Sequence, residues 1–177
     1  SALFQKAFKN TIDSAITSYA IQKAIMEYEK TLISMNSRFD QYLHGDKTKL
    51  TAREINGYNI FAGKALCGSC HFLPLFNGTV PPFFNDSEYE VIGVARDTTN
   101  QQLDDDKGRY VVTHIDEQLN AFKTPTVRNI ELTAPYMHNG SYSSLETVIE
   151  FYHKGGGAGL KLTVPNQTLP FDSLQLS

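Results

Sequence analysis

The 177-residue chain has no tryptophan and only two cysteines. Both thiols stand in one short stretch, at Cys67 and Cys70, so disulfide stapling has no part in the fold. No Lys/Arg-rich block interrupts the sequence, and a net charge of -3 with a pI near 5.9 argues against a nucleic-acid partner. No apolar run approaches the ~20 residues that span a bilayer, so no membrane span is expected. No secretory signal pattern opens the chain, and its first residue is Ser1 rather than methionine, so it reads as a processed protein or an excised piece. At this length one domain with a real core is expected.

What is present centres on Cys67-Gly68-Ser69-Cys70-His71. Two thiols with two residues between them, followed at once by an imidazole, suit covalent attachment of a c-type haem. The sulfurs add to the porphyrin vinyl groups, and His71 is left on the iron. Three other readings compete: half of a zinc site, a thioredoxin-like redox pair, and a coincidence in a loop. Zinc needs two further ligands, drawn from His44, His114, His138 or His153, and these show no paired spacing. A thioredoxin-like pair needs a βαβ context that is not visible. Covalent haem is attached outside the cytoplasm, so the haem reading carries a periplasmic or equivalent location with it.

Patterning supplies the frame around that motif. From Thr11 to about Met35, Ile12, Ile16, Tyr19, Ile21, Ala24, Ile25, Tyr28 and Leu32 predict a long amphipathic helix with Thr11 as N-cap. Ser37 to Leu43 adds a short helical piece that Gly45 ends. Thr51 and Glu54 form a capping box ahead of Ile55, Tyr58 and Phe61, with Gly63 as the stop, and this helix delivers the chain to Cys67. Beyond His71 the chain is broken by Pro74, Asn77-Gly78, Pro81-Pro82 and Asn85-Asp86. Loops this long need something to wrap, and a haem is large enough to serve. Val91 to Val94 reads as a short strand. The run from Asp104 to Gly108 invites a calcium-loop reading that fails, because Ile115 stands where the bidentate acid is needed; a solvated acidic turn fits better. Ser143 and Glu146 read as another capping box, opening a helix to about His153 that Gly155-Gly156-Gly157 stops. On it Leu145, Val148, Ile149 and Tyr152 share one stripe, with Phe151 and His153 turned away.

The order Cys67-Gly68-Ser69-Cys70-His71, Phe122-Lys123-Thr124-Pro125 with Arg128-Asn129, Thr133-Ala134-Pro135-Tyr136-Met137-His138-Asn139-Gly140, then Tyr152, resembles the bacterial di-haem cytochrome c peroxidases. It resembles their MauG-type relatives still more closely, from about Ser37 to Gly157. The resemblance implies an all-α, cytochrome c-like haem domain with long irregular loops at residues 37–177. Ahead of it, residues 1–36 form an N-terminal helical segment that links to, or packs on, an absent peroxidatic haem domain. One Cys-x-x-Cys-His suits the C-terminal, electron-transfer domain, with its final helix truncated after Leu174-Gln175-Leu176-Ser177. The implied activity of the whole enzyme is reduction of hydrogen peroxide to water, with electrons from a small donor protein, a cytochrome c or a copper protein. This domain would store or pass the electron and be a poor peroxidase alone. Any indole relay between haems would come from the absent part. The alternatives are a MauG-like oxidase acting on a partner protein and a simple c-type electron carrier. A homodimer is compatible with either.

The same resemblance assigns residues. Cys67, Cys70 and His71 would hold the haem, and the sixth iron ligand would be Tyr152, Met137 or neither of them. A thioether would favour Fe(II) and raise the potential, whereas a phenolate would favour Fe(III) and lower it. Tyr152 is preferred, because it stands where the MauG-type enzymes place a tyrosine; Met137 then reads as core filler. Arg128 would pair with a haem propionate, or else form a surface ion pair. The backbone carbonyls of Thr133 and Pro135 match positions that bind calcium, with an asparagine of the absent domain completing that site. His138 reads as a structural histidine, and His44, His114 and His153 as ordinary surface residues.

Overall fold

Side-chain caps fix where four of the described helices start. The computed structural model describes residues 2–8, 16–170 and 172–175, and the chain divides into two units, residues 1–50 and 51–177. In the first unit the described residues form α1 (Ala2–Ala7), α2 (Ser18–Glu29) and α3 (Arg38–Leu43). Thr17 is extended, and its hydroxyl accepts from the Ala20 N–H at 3.1 Å, which fixes the start of α2. The helix expected from Thr11 to Met35 is therefore shorter. Thr11, its expected cap, lies outside the described residues. At the other end the N–H groups of Thr31 and Leu32 turn to carbonyls three residues back, Tyr28 and Glu29, at 2.9 Å each, so the last turn tightens and closes. Ser37 and Asp40 form a reciprocal capping box that opens α3.

The second unit contains α4 (Ala52–Ala62), α5 (Tyr110–Thr113), α6 (Leu145–His153) and α7 (Gly156–Gly159). The Thr51–Glu54 capping box opens α4 as its sequence indicates, with Thr51 N donating to Glu54 Oε2 at 2.8 Å. The all-α expectation needs one amendment. A two-stranded antiparallel ribbon pairs β1 (Tyr89–Glu90) with β2 (Phe122–Lys123). The strand thus lies just upstream of Val91–Val94, because the polar groups of those residues are taken elsewhere. Val91 N donates to Thr168 Oγ1 at 2.9 Å, Gly157 N to the Ile92 carbonyl at 2.9 Å and Asp104 N to the Val94 carbonyl at 3.0 Å. No helix among the described residues is long and apolar enough to cross a membrane.

Two details of α6 also depart from expectation. Its cap is Ser144, whose hydroxyl accepts from Thr147 N at 3.3 Å, rather than Ser143. Its buried face includes Phe151, 2% exposed, while Ile149 is 59% exposed. Phe151 sits between the rings of Tyr142 and Tyr152, at centroid distances of 5.6 and 5.4 Å. Tyr136 and Tyr142, held together by Tyr136 N donating to the Tyr142 carbonyl at 2.7 Å, complete this core, and Leu145, Val148, Met137 and Tyr152 pack against it. A planar ring with aromatic neighbours on two sides takes the inner position, and the aliphatic Ile149 is left outside. Gly155 then turns the chain at φ +93, where a Cβ would lie 1.7 Å from the Asp172 carbonyl oxygen, so no other residue fits.

This packing predicts unequal losses from two truncations on one helix. Phe151→Ala should lower unfolding stability by about 3–5 kcal/mol, and Ile149→Ala should change it by no more than about 0.5 kcal/mol. Urea unfolding of the two variants checks this; comparable losses would contradict the buried face described here.

Candidate functional site

The end of α4 shapes the motif that follows. Ala65 N donates to the Ile60 carbonyl at 2.8 Å, Leu66 enters the left-handed region at φ 55, and Cys67–Ser69 forms a single 3-10 turn. The N–H groups of Cys70 and His71 both donate to the Cys67 carbonyl, at 3.3 and 3.0 Å. Both cysteines are free and half-buried. His71 Nδ1 lies 3.1 Å from the Phe76 carbonyl oxygen. A carbonyl only accepts, so Nδ1 carries the proton and Nε2 keeps its lone pair. Burial pushes the His71 pKa down, against the opposing pull of the Phe76 and Pro125 carbonyls and the Glu90 charge. A neutral imidazole with one nitrogen committed to a backbone carbonyl is the state in which histidine binds a metal.

Across from the motif, α6 delivers Tyr152. Burial pushes its phenol far above the ordinary range, and the charges of Cys70, Cys67 and Glu90 push the same way. The hydroxyl therefore shares its surroundings with both thiols and that carboxyl. Cys70 Sγ and one carboxylate oxygen each from Glu88 and Glu90 lie within 4.8 Å of one another. Burial, then Glu90, drives the Cys70 thiol up to about 11, and burial raises Cys67 as well. Thiols held protonated in this way are poor nucleophiles, which weighs against a dithiol redox catalyst. Among the described residues the metal-ligand group containing Cys70 includes neither Cys67 nor a histidine, so a tetrahedral thiolate–imidazole zinc set is not assembled. Two half-buried thiols, a neutral imidazole and a phenol close by fit a covalently held haem.

Arg128 donates from Nε and Nη2 to the Pro74 carbonyl at 3.0 and 2.6 Å, and its guanidinium lies 5.5 Å from the Phe76 ring. Thr126 Oγ1 donates to the Leu75 carbonyl at 2.6 Å and Val127 N to the Phe76 carbonyl at 3.0 Å, so residues 126–128 clamp the loop that carries the acceptor of His71. Met137 takes φ +70 and packs against the Tyr136, Tyr142 and Phe151 cluster. Thr133 and Pro135 are exposed on either side of Ala134. His44 ends α3 and His114 ends α5, where its ring meets Tyr110 edge-on at 5.9 Å. The backbone of His153 accepts from Leu174 N at 3.1 Å.

His138 is stacked on Phe122 with centroids 3.6 Å apart, and its Nε2 lies 3.4 Å from Asp104 Oδ1. Asn139 Nδ2 donates to Asp104 Oδ2 at 2.7 Å and to the Ala95 carbonyl at 2.9 Å. The acidic turn is thus latched to the loop after Tyr136, and it spends further acceptors on the N–H groups of Asp106 and Gly108, at 2.8 Å each. Sequence reasoning missed this latch, and it missed Glu88 and Glu90. The second omission had an available signal, since alternate residues of an extended segment point to the same side.

Asp104 gives a pH prediction. Burial alone would raise its carboxyl, but the Asn139 amide, the Asp106 N–H and His138 together hold it below the ordinary range. A carboxyl whose folded-state pKa lies under its unfolded value stabilises the fold above that unfolded value, and the contribution is lost as pH falls through the folded one. Urea midpoints measured from about pH 6 to about pH 3 should therefore fall less in Asn139→Ala than in the parent chain; parallel curves would contradict the latch.

Comparison with known proteins agrees with this geometry. Residues 1–48 match the family model for the di-haem cytochrome c peroxidases. The chain is 34% identical to the cytochrome-c peroxidase IdrP2 of Denitromonas iodatirespirans, over 92% of this chain and 47% of that protein. It is 38% identical to the cytochrome c551 peroxidase of Nitrosomonas europaea, over 83% of this chain and 41% of that protein. A solved structure of a MauG-like protein associated with microbial copper homeostasis aligns with a TM-score of 0.63 at 30% identity, covering 83% of this chain and 46% of that one. The chain spans about half the length of the curated relatives it matches. The family model and these relatives agree: the chain belongs to the di-haem cytochrome c peroxidase and MauG family.

Proposed function

We propose that this chain is the C-terminal, electron-transfer haem domain of a di-haem peroxidase that reduces hydrogen peroxide to water. One observation carries the reading: α6 brings the Tyr152 phenol close enough to the Cys67–His71 turn for Cys67, Cys70 and Glu90 all to act on it. Haem c, when bound, supplies a one-electron redox centre in a water-poor site. Cys67 and Cys70 tether it through thioethers. His71, its Nδ1–H held by the Phe76 carbonyl, would bind the iron through Nε2, and Tyr152 would be its second protein ligand. An iron held by two protein side chains would suit storing or passing an electron rather than binding peroxide. Arg128 binds a propionate, and the Thr133 and Pro135 carbonyls contribute to a calcium site at the boundary with the peroxidatic domain. Met137 remains in the core. The donor is a small cytochrome or copper protein, and the location is the periplasm, where thioether attachment takes place.

A second reading is a MauG-like oxidase that acts on a partner protein. Tyr152 is what favours it, since a hard anionic ligand stabilises a more oxidised metal than methionine does. Both readings share one test of this domain. In haem-loaded protein, Tyr152→Phe should change the ferric absorption spectrum and raise the reduction potential, while Met137→Leu should leave the spectrum as it is. A spectrum that moves with Met137 and not with Tyr152 would overturn the assignment.

A further inference from the structure

Glu90 stands at a position that neither the attachment motif nor the axial ligands explain. It is the second residue of β1, half-buried, with a carboxylate oxygen within 4.8 Å of Cys70 Sγ and of a Glu88 oxygen. From behind, Thr168 Oγ1 donates to Glu90 Oε2. Thr168 is itself pinned to the next residue of the strand segment, with its N–H on the Val91 carbonyl at 2.9 Å and its hydroxyl taking the Val91 N–H at 2.9 Å. The neighbouring Gln167 holds the same strap in place, donating to the Gly155 carbonyl at 2.9 Å and accepting from Ala158 N at 2.9 Å. A strap from the end of the chain therefore fixes one carboxylate beside the cysteine that carries the cofactor.

We propose that Glu90 sets the reduction potential of the haem in this domain, its fixed carboxylate lowering that potential by opposing the added negative charge of the reduced state. The inference rests on the haem reading above. An electron added to the iron makes the centre more negative by one charge, and a nearby anion in a site of low dielectric disfavours that state. Glu90 reaches both sides of the site. Its charge acts on Cys70, on His71 and on Tyr152, the proposed holders of the cofactor on either face. Glu88 is the weaker partner. Burial and then Glu90 raise its own carboxyl, so it carries its charge less readily, and it acts on Cys70 alone of those three. Glu90 is thus a positioning and electrostatic residue that touches neither substrate nor donor.

The test is an equilibrium redox titration of the haem-loaded full chain, parent against Glu90→Gln and Glu88→Gln, after absorbance and denatured mass have established one haem per chain. Glu90→Gln should raise the midpoint potential with the ferric spectrum unchanged, and Glu88→Gln should raise it by less. A structural role alone would lower haem content or thermal stability without moving the potential of the loaded fraction. An unmoved or lowered midpoint in Glu90→Gln, or a larger shift in Glu88→Gln, would overturn the proposal. Should Glu90→Gln not load, Thr168→Val decides: a raised midpoint supports the proposal and an unchanged one overturns it. Failure of the parent chain to take up haem would instead sink the haem reading itself, so the two failures are distinguishable.

Discussion

The hydrogen bond from His71 Nδ1 to the Phe76 carbonyl is the constraint on which the site depends. An imidazole that shed or swapped this proton would present the wrong nitrogen to a metal, and a buried charged imidazole would be costly. The bond holds only if Phe76 is held. Phe76 lies on an irregular loop in left-handed backbone, with no regular element of its own to hold it. Within the loop Phe76 N donates to the Phe72 carbonyl at 2.6 Å, and from outside come Val127 N on its carbonyl, Arg128 and Thr126 on the two preceding carbonyls, and Phe61 of α4, whose ring lies 5.9 Å away. Two segments about fifty residues apart in sequence are thereby made to cooperate in orienting one ring.

A second constraint is electrical. The groups that meet at the motif are kept uncharged by burial: the imidazole is pushed down, and both thiols and the phenol are pushed up. Neutral thiols and a neutral imidazole are mutually tolerable in a half-buried space, whereas thiolates beside Glu88 and Glu90 would repel. The arrangement is therefore suited to receive a large apolar ring that carries its own charge at the centre.

Much of this was legible in the sequence because it is local. The Thr51–Glu54 box and the Gly63 stop are read within a few residues of one another, and the structure has both where the pattern puts them. The extent of α6 was also legible, but its facing was not. The apolar stripe puts Ile149 inward and turns Phe151 away, and only packing against the tyrosines at 136 and 142, in the segment just before α6, decides for Phe151. The β1–β2 ribbon and the Thr168 strap escaped for the same reason, since each depends on pairing between residues separated by long loops. The cap of α2 shows a smaller failure. Periodicity carried the expected helix back to Thr11, whereas the cap of α2 is Thr17.

The account stands most directly on how the chain holds its cofactor. Protein matured in a host able to attach haem should, after full denaturation, keep a mass greater than the bare polypeptide by one haem. Replacing Cys67 and Cys70 by alanine should abolish that excess. A denatured mass equal to that of the polypeptide alone, from a host proven to mature other c-type cytochromes, would contradict it.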